Sequence, residues 1–263
     1  MTKEPLYIIK VGGNIIDNDE KLSSFLSSFA ALKGRKILVH GGGKLATKLA
    51  KDLSIPQEMV DGRRITDGET LKIVTMVYAG LINKQIVARL NAMHSKSIGL
   101  CGADANIISA HKRNHPTIDF GFVGDVEQVD ANFLLSLIEQ NLNVIIAPIT
   151  QDIKGQLLNT NADTIAQEVA KAMAKHTPTI LIYSFEKKGV MMDVDDDSSV
   201  IPAIDKELFE KLKSEKAIFE GMIPKLENAL QAVNSGVEKV IIGDATSLEM
   251  LVEGKSGTTI HQN

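Results

Sequence analysis

The chain has 263 residues, 44% of them hydrophobic and 24% charged, with a formal net charge of −4 at neutral pH. That length allows one large domain or two modest ones with a substantial core, and the acidic balance argues against a nucleic-acid binder. A single cysteine, Cys101, excludes an intramolecular disulfide and suits a reducing cytoplasm, the apolar run after Met1–Pro5 stops at Lys10 and is too short for a signal peptide, and no apolar stretch approaches the roughly 20 residues that span a bilayer.

Ile8-Ile9-Lys10-Val11-Gly12-Gly13 reads as a short buried strand ending in a lysine and two glycines. A lysine at that strand end is costly without an anionic partner, and the glycines admit close approach to the backbone. Asp17–Glu20 looks like a turn and cap, and Phe25, Phe29 and Leu32 give one face of a helix that Gly34 ends. A second strand, Ile37–Val39, runs into His40-Gly41-Gly42-Gly43-Lys44, followed by the helical spacing of Leu45, Leu49 and Leu53. Two strands that each end in a glycine turn and a helix N-terminus, with a cation close by, make a plausible phosphate site. The strand–helix alternation is that of an α/β protein with a parallel sheet.

Asp61–Thr66 reads as a turn or hairpin exposing Arg63 and Arg64. A long helix is expected over 67–91, with Gly80 allowing a bend or close packing. Ile98–Leu100 is a short strand, Ile107–Lys112 and Phe122–Val126 suggest a β-hairpin excursion, Ala131–Gln140 a helix, and Asn143–Pro148 a buried strand. Gln156–Asp163 opens a helix running from about Thr164 to Ala174. A lobe boundary is expected just before the strand Pro178–Tyr183, dividing the chain into 1–177 and 178–263. Gly189–Met192 and Ser199–Ile201 flank an acidic tip, and Asp205 caps a helix to about Leu212. Gly221-Met222-Ile223-Pro224-Lys225 opens another helix, Val240–Ile242 is a strand, Leu248–Val252 a short helix, and Gly257–Ile260 a last strand.

The strand Ile-Lys-Val-Gly-Gly, the turn His-Gly-Gly-Gly, and Asn159-x-Asn161-Ala162-Asp163 followed by Gly221-Met222-x-x-Lys225 together resemble the amino-acid kinase family. Arg64-Ile65-Thr66-Asp67, Asn83-Lys84 and Gly99-Leu100-Cys101-Gly102-x-Asp104-x-Asn106 are similar to its acylglutamate-phosphorylating branch. The resemblance covers nearly the whole chain. It implies a three-layer α/β/α sandwich with a mostly parallel central sheet in two lobes, the first binding acylglutamate and the second nucleotide. The implied reaction is ATP-dependent phosphorylation of the side-chain carboxylate of N-acetyl-L-glutamate, with N-succinyl-L-glutamate, another amino-acid kinase activity or a non-catalytic sensor as alternatives. Magnesium would come with the ATP, held mostly by phosphates and water.

Carried onto this chain, the resemblance puts Lys10 and Lys225 on either side of the transferred phosphoryl, with Asp163 between them as the acid that offsets their repulsion. The backbone N–H groups of Gly12, Gly13, Gly42 and Gly43 would cradle phosphoryl oxygens. Arg64 would grip the substrate α-carboxylate, and Asn159 and Asn161 the acyl amide. Asn159 and Asn161 also read as turn and cap residues. Arg63 reads as a surface charge, His40 and Cys101 as structural, and the run Asp193–Asp197 as a solvated hairpin tip, since it lacks the glycine and closing glutamate of a calcium loop. The segment Ser184–Gly189 departs from the family pattern, Ser-Asp-Val-x-Gly-Val, and Lys187 or Lys188 is expected to supply a new phosphate or surface contact there. A homodimer through the helix at 67–91 is expected. Only nine residues precede Lys10, where arginine-inhibited hexameric relatives carry a helix, so no arginine inhibition is expected.

Overall fold

The computed structural model describes residues 4–60, 63–193, 196–215, 217–218 and 222–262. The expected turn at Asp61-Gly62, part of the acidic tip (Val194-Asp195) and the helix-opening Gly221 lie outside the described residues. In chain order, β1 (Leu6–Val11) leads into a short helix α1 (Gly13–Ile16) and into α2 (Asp19–Ala31), capped by the Asn18 side chain, which accepts from the Lys21 N–H. Then come β2 (Arg35–His40), α3 (Gly43–Asp52) and the two-residue strands β3 (Met59–Val60) and β4 (Arg63–Arg64).

The long helix is present over Gly68–Ala92, but it is not uniform. α4 (Gly68–Thr75) and α5 (Asn83–Ala92) are joined by a π-helical stretch, Met76–Ile82. Gly80 lies in that stretch with open space where a Cβ would be, so close packing is not its reason. By length and hydropathy Gly68–Ala92 is long and apolar enough to cross a membrane, contrary to the expectation from sequence. Here Val74, Val77, Ile82, Ile86 and Leu90 are buried in the core. β5 (Ser97–Cys101), β6 (Ile108–Lys112) and β7 (Val123–Val129) follow, then α6 (Ala131–Glu139), β8 (Asn143–Ala147), β9 (Ile149–Gln151) and β10 (Leu157–Thr160). The chain continues through α7 (Ala162–Ala174), β11 (Thr179–Phe185), β12 (Ala203–Ile204), α8 (Lys206–Ser214), α9 (Ile223–Asn234), β13 (Lys239–Asp244), α10 (Leu248–Val252) and β14 (Thr258–Ile260).

One eight-stranded sheet carries both halves of the chain, in the order β12-β14-β13-β11-β1-β2-β8-β5, and only the β13–β14 pair in it is antiparallel. Helices cover both faces, giving three layers. Strand alternation divides the apolar residues: Leu6, Ile8, Ile37 and Leu181 face α7 and α9, while Ile9, Val11, Leu38 and Ile182 face α2 and the long helix. β1 lies between β2, which follows it in sequence, and β11, which arrives much later. The strand order therefore reverses at β1, and ligands of open α/β sheets bind beyond the carboxyl ends of strands at such a point. The strands β6, β7, β9 and β10 form a second, closed four-stranded sheet beside that end.

At the end of β2, His40 is fully buried. Its Nδ1–H donates to the Gly41 carbonyl (2.9 Å), and its Nε2 accepts from the Asn83 amide (3.2 Å). Asn83 also donates to Ile145 O (3.0 Å), and the Lys84 ammonium donates to Gly99 O (2.7 Å), so the Asn83-Lys84 pair fastens α5 to the sheet. Burial lowers the imidazole pKa to about 4. The unfolded chain binds a proton near pH 6.5 and the folded one does not, so stability falls as the pH drops from about 6.5 to 4. This contribution is expected to reach about 3 kcal/mol; urea titrations at pH 7 and pH 4.5 should show a smaller difference in a His40→Gln variant than in the parent. Gly42 has φ of +149°, and a Cβ there would lie 2.2 Å from the buried Ile82 side chain. Gly42→Ala is expected to cost about 1–3 kcal/mol in the same titrations.

Candidate active site

Odd-numbered residues of β11 and even-numbered ones of β1 project to the face covered by α7 and α9, so Lys10, Tyr183 and Phe185 emerge together. Asp163 stands in the first turn of α7, whose N-cap is Asn161. The Lys10 ammonium lies 2.8 Å from Asp163 Oδ1, with the two side chains only 16% and 29% exposed. The Tyr183 hydroxyl donates to the Asp163 carbonyl (3.3 Å), pinning the start of α7 over the sheet. The phenol is kept protonated, chiefly by burial and further by the Asp163 charge.

Lys225, near the start of α9, faces the same place. Its ammonium sits 4.7 Å from the centre of the Phe185 ring. Burial lowers its pKa, the Lys10 charge lowers it further, and Asp163 and Glu186 oppose that. The two lysines, far apart in sequence, thus feel each other and share one acid.

A cavity of about 550 Å³ opens beside them, and Gly42, Gly43, Arg64, Asn159, Asp163 and Lys225 line it. Thr66 brings its walls together: Thr66 N donates to Phe120 O (3.0 Å), Phe122 N donates to Thr66 O (2.6 Å), and the Asn159 amide donates to Thr66 Oγ1 (3.0 Å). The glycines differ among themselves. Gly43 begins α3 with Gly42 as its N-cap, and Gly13 begins α1, so their N–H groups belong to helix first turns, which lack intrahelical acceptors. The Gly12 N–H instead donates to Ser184 O (2.9 Å) as the last rung of the β1–β11 ladder. The expectation that it cradles a phosphoryl oxygen is corrected on that ground.

Two more expectations change in detail. Arg64 is buried in the cavity wall, but its terminal nitrogens are engaged: Nη2 donates to Gly43 O (3.0 Å) and Thr47 Oγ1 (2.9 Å), and Nη1 to the Gln57 side chain. A two-pronged grip on a carboxylate by these nitrogens requires exchanging those bonds. The Asn161 side-chain oxygen accepts from the N–H groups of Asp163 (2.8 Å) and Thr164 (3.1 Å), so its capping reading holds, although the residue also borders the cavity.

In the altered segment Ser184–Gly189, Lys188 is paired with Asp197 (3.0 Å) at the surface. The residues of that segment that act on Lys225 are Phe185 and Glu186. Sequence reasoning missed Phe185, Tyr78 and the reach of Arg63. Tyr78 lines the cavity from the long helix, where its position was indistinguishable from a core residue, and Arg63 lines it although exposed. Arg113 also lines the cavity, its Nε and Nη2 held by Asp125 (2.5–3.2 Å).

Comparison with known proteins agrees with this architecture. The model of the amino acid kinase family matches residues 5–244. The chain is 55% identical to the acetylglutamate kinase of Cytophaga hutchinsonii over 99% of this chain and 100% of that one, and 54% identical to that of Parabacteroides distasonis over 93% and 96%. Among solved structures, a Streptococcus mutans protein superposes with a TM-score of 0.78 at 26% identity, covering 97% of this chain and 98% of that one. An N-acetylglutamate synthase from Neisseria gonorrhoeae, bound to coenzyme A and N-acetyl-glutamate, gives 0.81 at 18% identity over 98% of this chain and 60% of its own, and so speaks to fold alone. With the family's model spanning almost all of the sequence and its glycine turns, lysines and acid gathered at one end of the sheet, the chain belongs to the amino acid kinase family.

Proposed function

We propose that the protein transfers the γ-phosphoryl group of ATP to the side-chain carboxylate of N-acetyl-L-glutamate, giving N-acetylglutamyl 5-phosphate for arginine biosynthesis. The observation that carries this reading is the Lys10–Asp163 ion pair, with Asp163 and Lys225 lining one cavity. Full-length similarity to curated acetylglutamate kinases at over 50% identity supports the choice of acceptor.

In the reaction a carboxylate oxygen forms a bond to the γ-phosphorus while the bond to the ADP oxygen breaks. No proton need be removed from the acceptor, so no general base is required. The barrier lies in bringing anions together and in the charge on the migrating group, and positioned cations and N–H donors lower it. Lys10 and Lys225 supply that charge from two sides, while Asp163 holds Lys10 and limits the mutual repulsion of the lysines. Gly13, Gly42 and Gly43 offer N–H groups to phosphoryl oxygens, and Arg64 and Asn159 border the acylamino acid. Asp163 is the one carboxylate among the described residues lining the cavity, which fits a magnesium ion arriving on the nucleotide and held by its phosphates and water.

In this reading residues 1–177 form the acylglutamate lobe and 178–263 the nucleotide lobe of a cytoplasmic enzyme. Met76 and Leu81, exposed on the helix Gly68–Ala92, would meet their copies in a homodimer. Arg113 at the cavity wall favours a second reading, in which the acyl group ends in a carboxylate, as in N-succinyl-L-glutamate.

A coupled ADP-release assay with N-acetylglutamate, N-succinylglutamate, glutamate and carbamate in parallel separates these possibilities. N-acetylglutamate is expected to be turned over, and Lys10→Met to lower kcat about a hundredfold to a thousandfold. Turnover of none of the four, or an unaffected variant, removes the proposal. Light scattering is expected to give twice the chain mass, and Leu81→Glu to give a monomer.

A further inference from the structure

Lys225 has a neighbour unlike the other groups of the site. Its ammonium lies 4.7 Å from the centre of the Phe185 ring, and no carboxylate among the described residues is in ion-pair contact with it, because the nearby acid Asp163 is paired with Lys10. An ammonium over an aromatic face is attracted to the ring's negative quadrupole, and more strongly when partly shielded from water, as here. Phe185 is itself firmly placed. It is the last residue of β11, in register with Asp244 of β13, and it packs against the β1 turn, where a Cβ on Gly12 would lie 3.4 Å from its own Cβ. The backbone and Cβ that carry the ring are thus held against the strand that delivers Lys10.

We propose that Phe185 is a positioning residue for Lys225: its ring holds the ammonium beside the Lys10–Asp163 pair until polyphosphate enters the cavity. The ring attracts the cation without neutralising it. A carboxylate in its place would bind the ammonium more tightly and oppose its transfer to a phosphate. An aliphatic residue would leave the ammonium to water or to Asp163, where it competes with Lys10. This inference rests on the kinase reading for its consequence in turnover, but not for the contact itself.

Two measurements fail independently. In the first, lysines are reductively dimethylated with ¹³C, which keeps their charge, and the Lys225 resonance is assigned by its loss in Lys225→Met. The resonance is expected upfield of the other lysines through the ring current, to remain so in Phe185→Tyr, and to return to the bulk position in Phe185→Leu. A Lys225 resonance already at the bulk position in the parent overturns the proposal, whether or not the protein phosphorylates anything. In the second, kcat is measured with N-acetylglutamate and ATP. Phe185→Leu is expected to lower it about tenfold, as misplacement of a catalytic charge does, with Phe185→Tyr within about twofold of the parent. In a Lys225→Met background, Phe185→Leu is expected to have no further effect, because the ring acts through that lysine. An equal loss in both backgrounds assigns Phe185 a general structural role and overturns the proposal. Absence of turnover in the parent overturns the kinase reading, and the resonance then decides the role of Phe185.

Discussion

The contact between Lys10 and Asp163 sets the terms for everything around it. Two ammonium groups held on one side of a sheet repel each other, and the fold must tolerate that repulsion. One carboxylate, a third or less exposed, does most of the work, at a separation where even partial shielding from water gives several kcal/mol of gross attraction before desolvation is counted. The acid has to reach the lysine from another element. Asp163 does so because Asn161 caps α7 and the Tyr183 hydroxyl holds the helix start above β1 and β11. The position of β1 at the reversal of the strand order leaves room beyond its end, and Asp163 of the pair lines the cavity there.

Much of this was legible in the sequence, for identifiable reasons. Strands that are buried on both faces read as continuous apolar runs, and β1, β2, β8 and β11 did so. Asn18, Asp205 and Asn161 sit where short polar side chains satisfy helix N-termini, and all three accept from backbone N–H groups as expected. Other features left no local trace. The π-helical stretch depends on how the long helix meets the sheet at both ends, and the apolar pattern of Met76–Ile82 fits an ordinary helix equally well. The partners of Arg64 come from two segments, α3 and the loop after it, and the capture of the Gly12 N–H by Ser184 follows from the β1–β11 register. Phe185 lay in the altered segment after the expected strand Pro178–Tyr183, with nothing to set it apart until the fold brought α9 across it.

Architecture and chemistry separate in this molecule. Solved structures less than a fifth identical to it in sequence share its backbone arrangement. A sheet of this topology fixes where a ligand can sit, while the side chains at the strand ends decide what is done to it. Here those side chains are two lysines and an acid, flanked by helix first turns whose N–H groups lack internal acceptors.

The π-helical stretch gives the long helix an unusual arithmetic. A π turn accommodates one residue more than an α turn, so Met76–Ile82 acts as a phase correction between the part of the helix that packs beside the cavity and the part that packs on the sheet. Were the stretch to wind as α with all its residues kept, everything downstream would swing by about 100°. Asn83 would then point away from both Ile145 and His40, and the β2 turn would lose its brace. The count of residues between Tyr78, at the cavity, and Asn83, at the sheet, is therefore matched to the π winding, even where a side chain between them, such as Leu81, is half exposed.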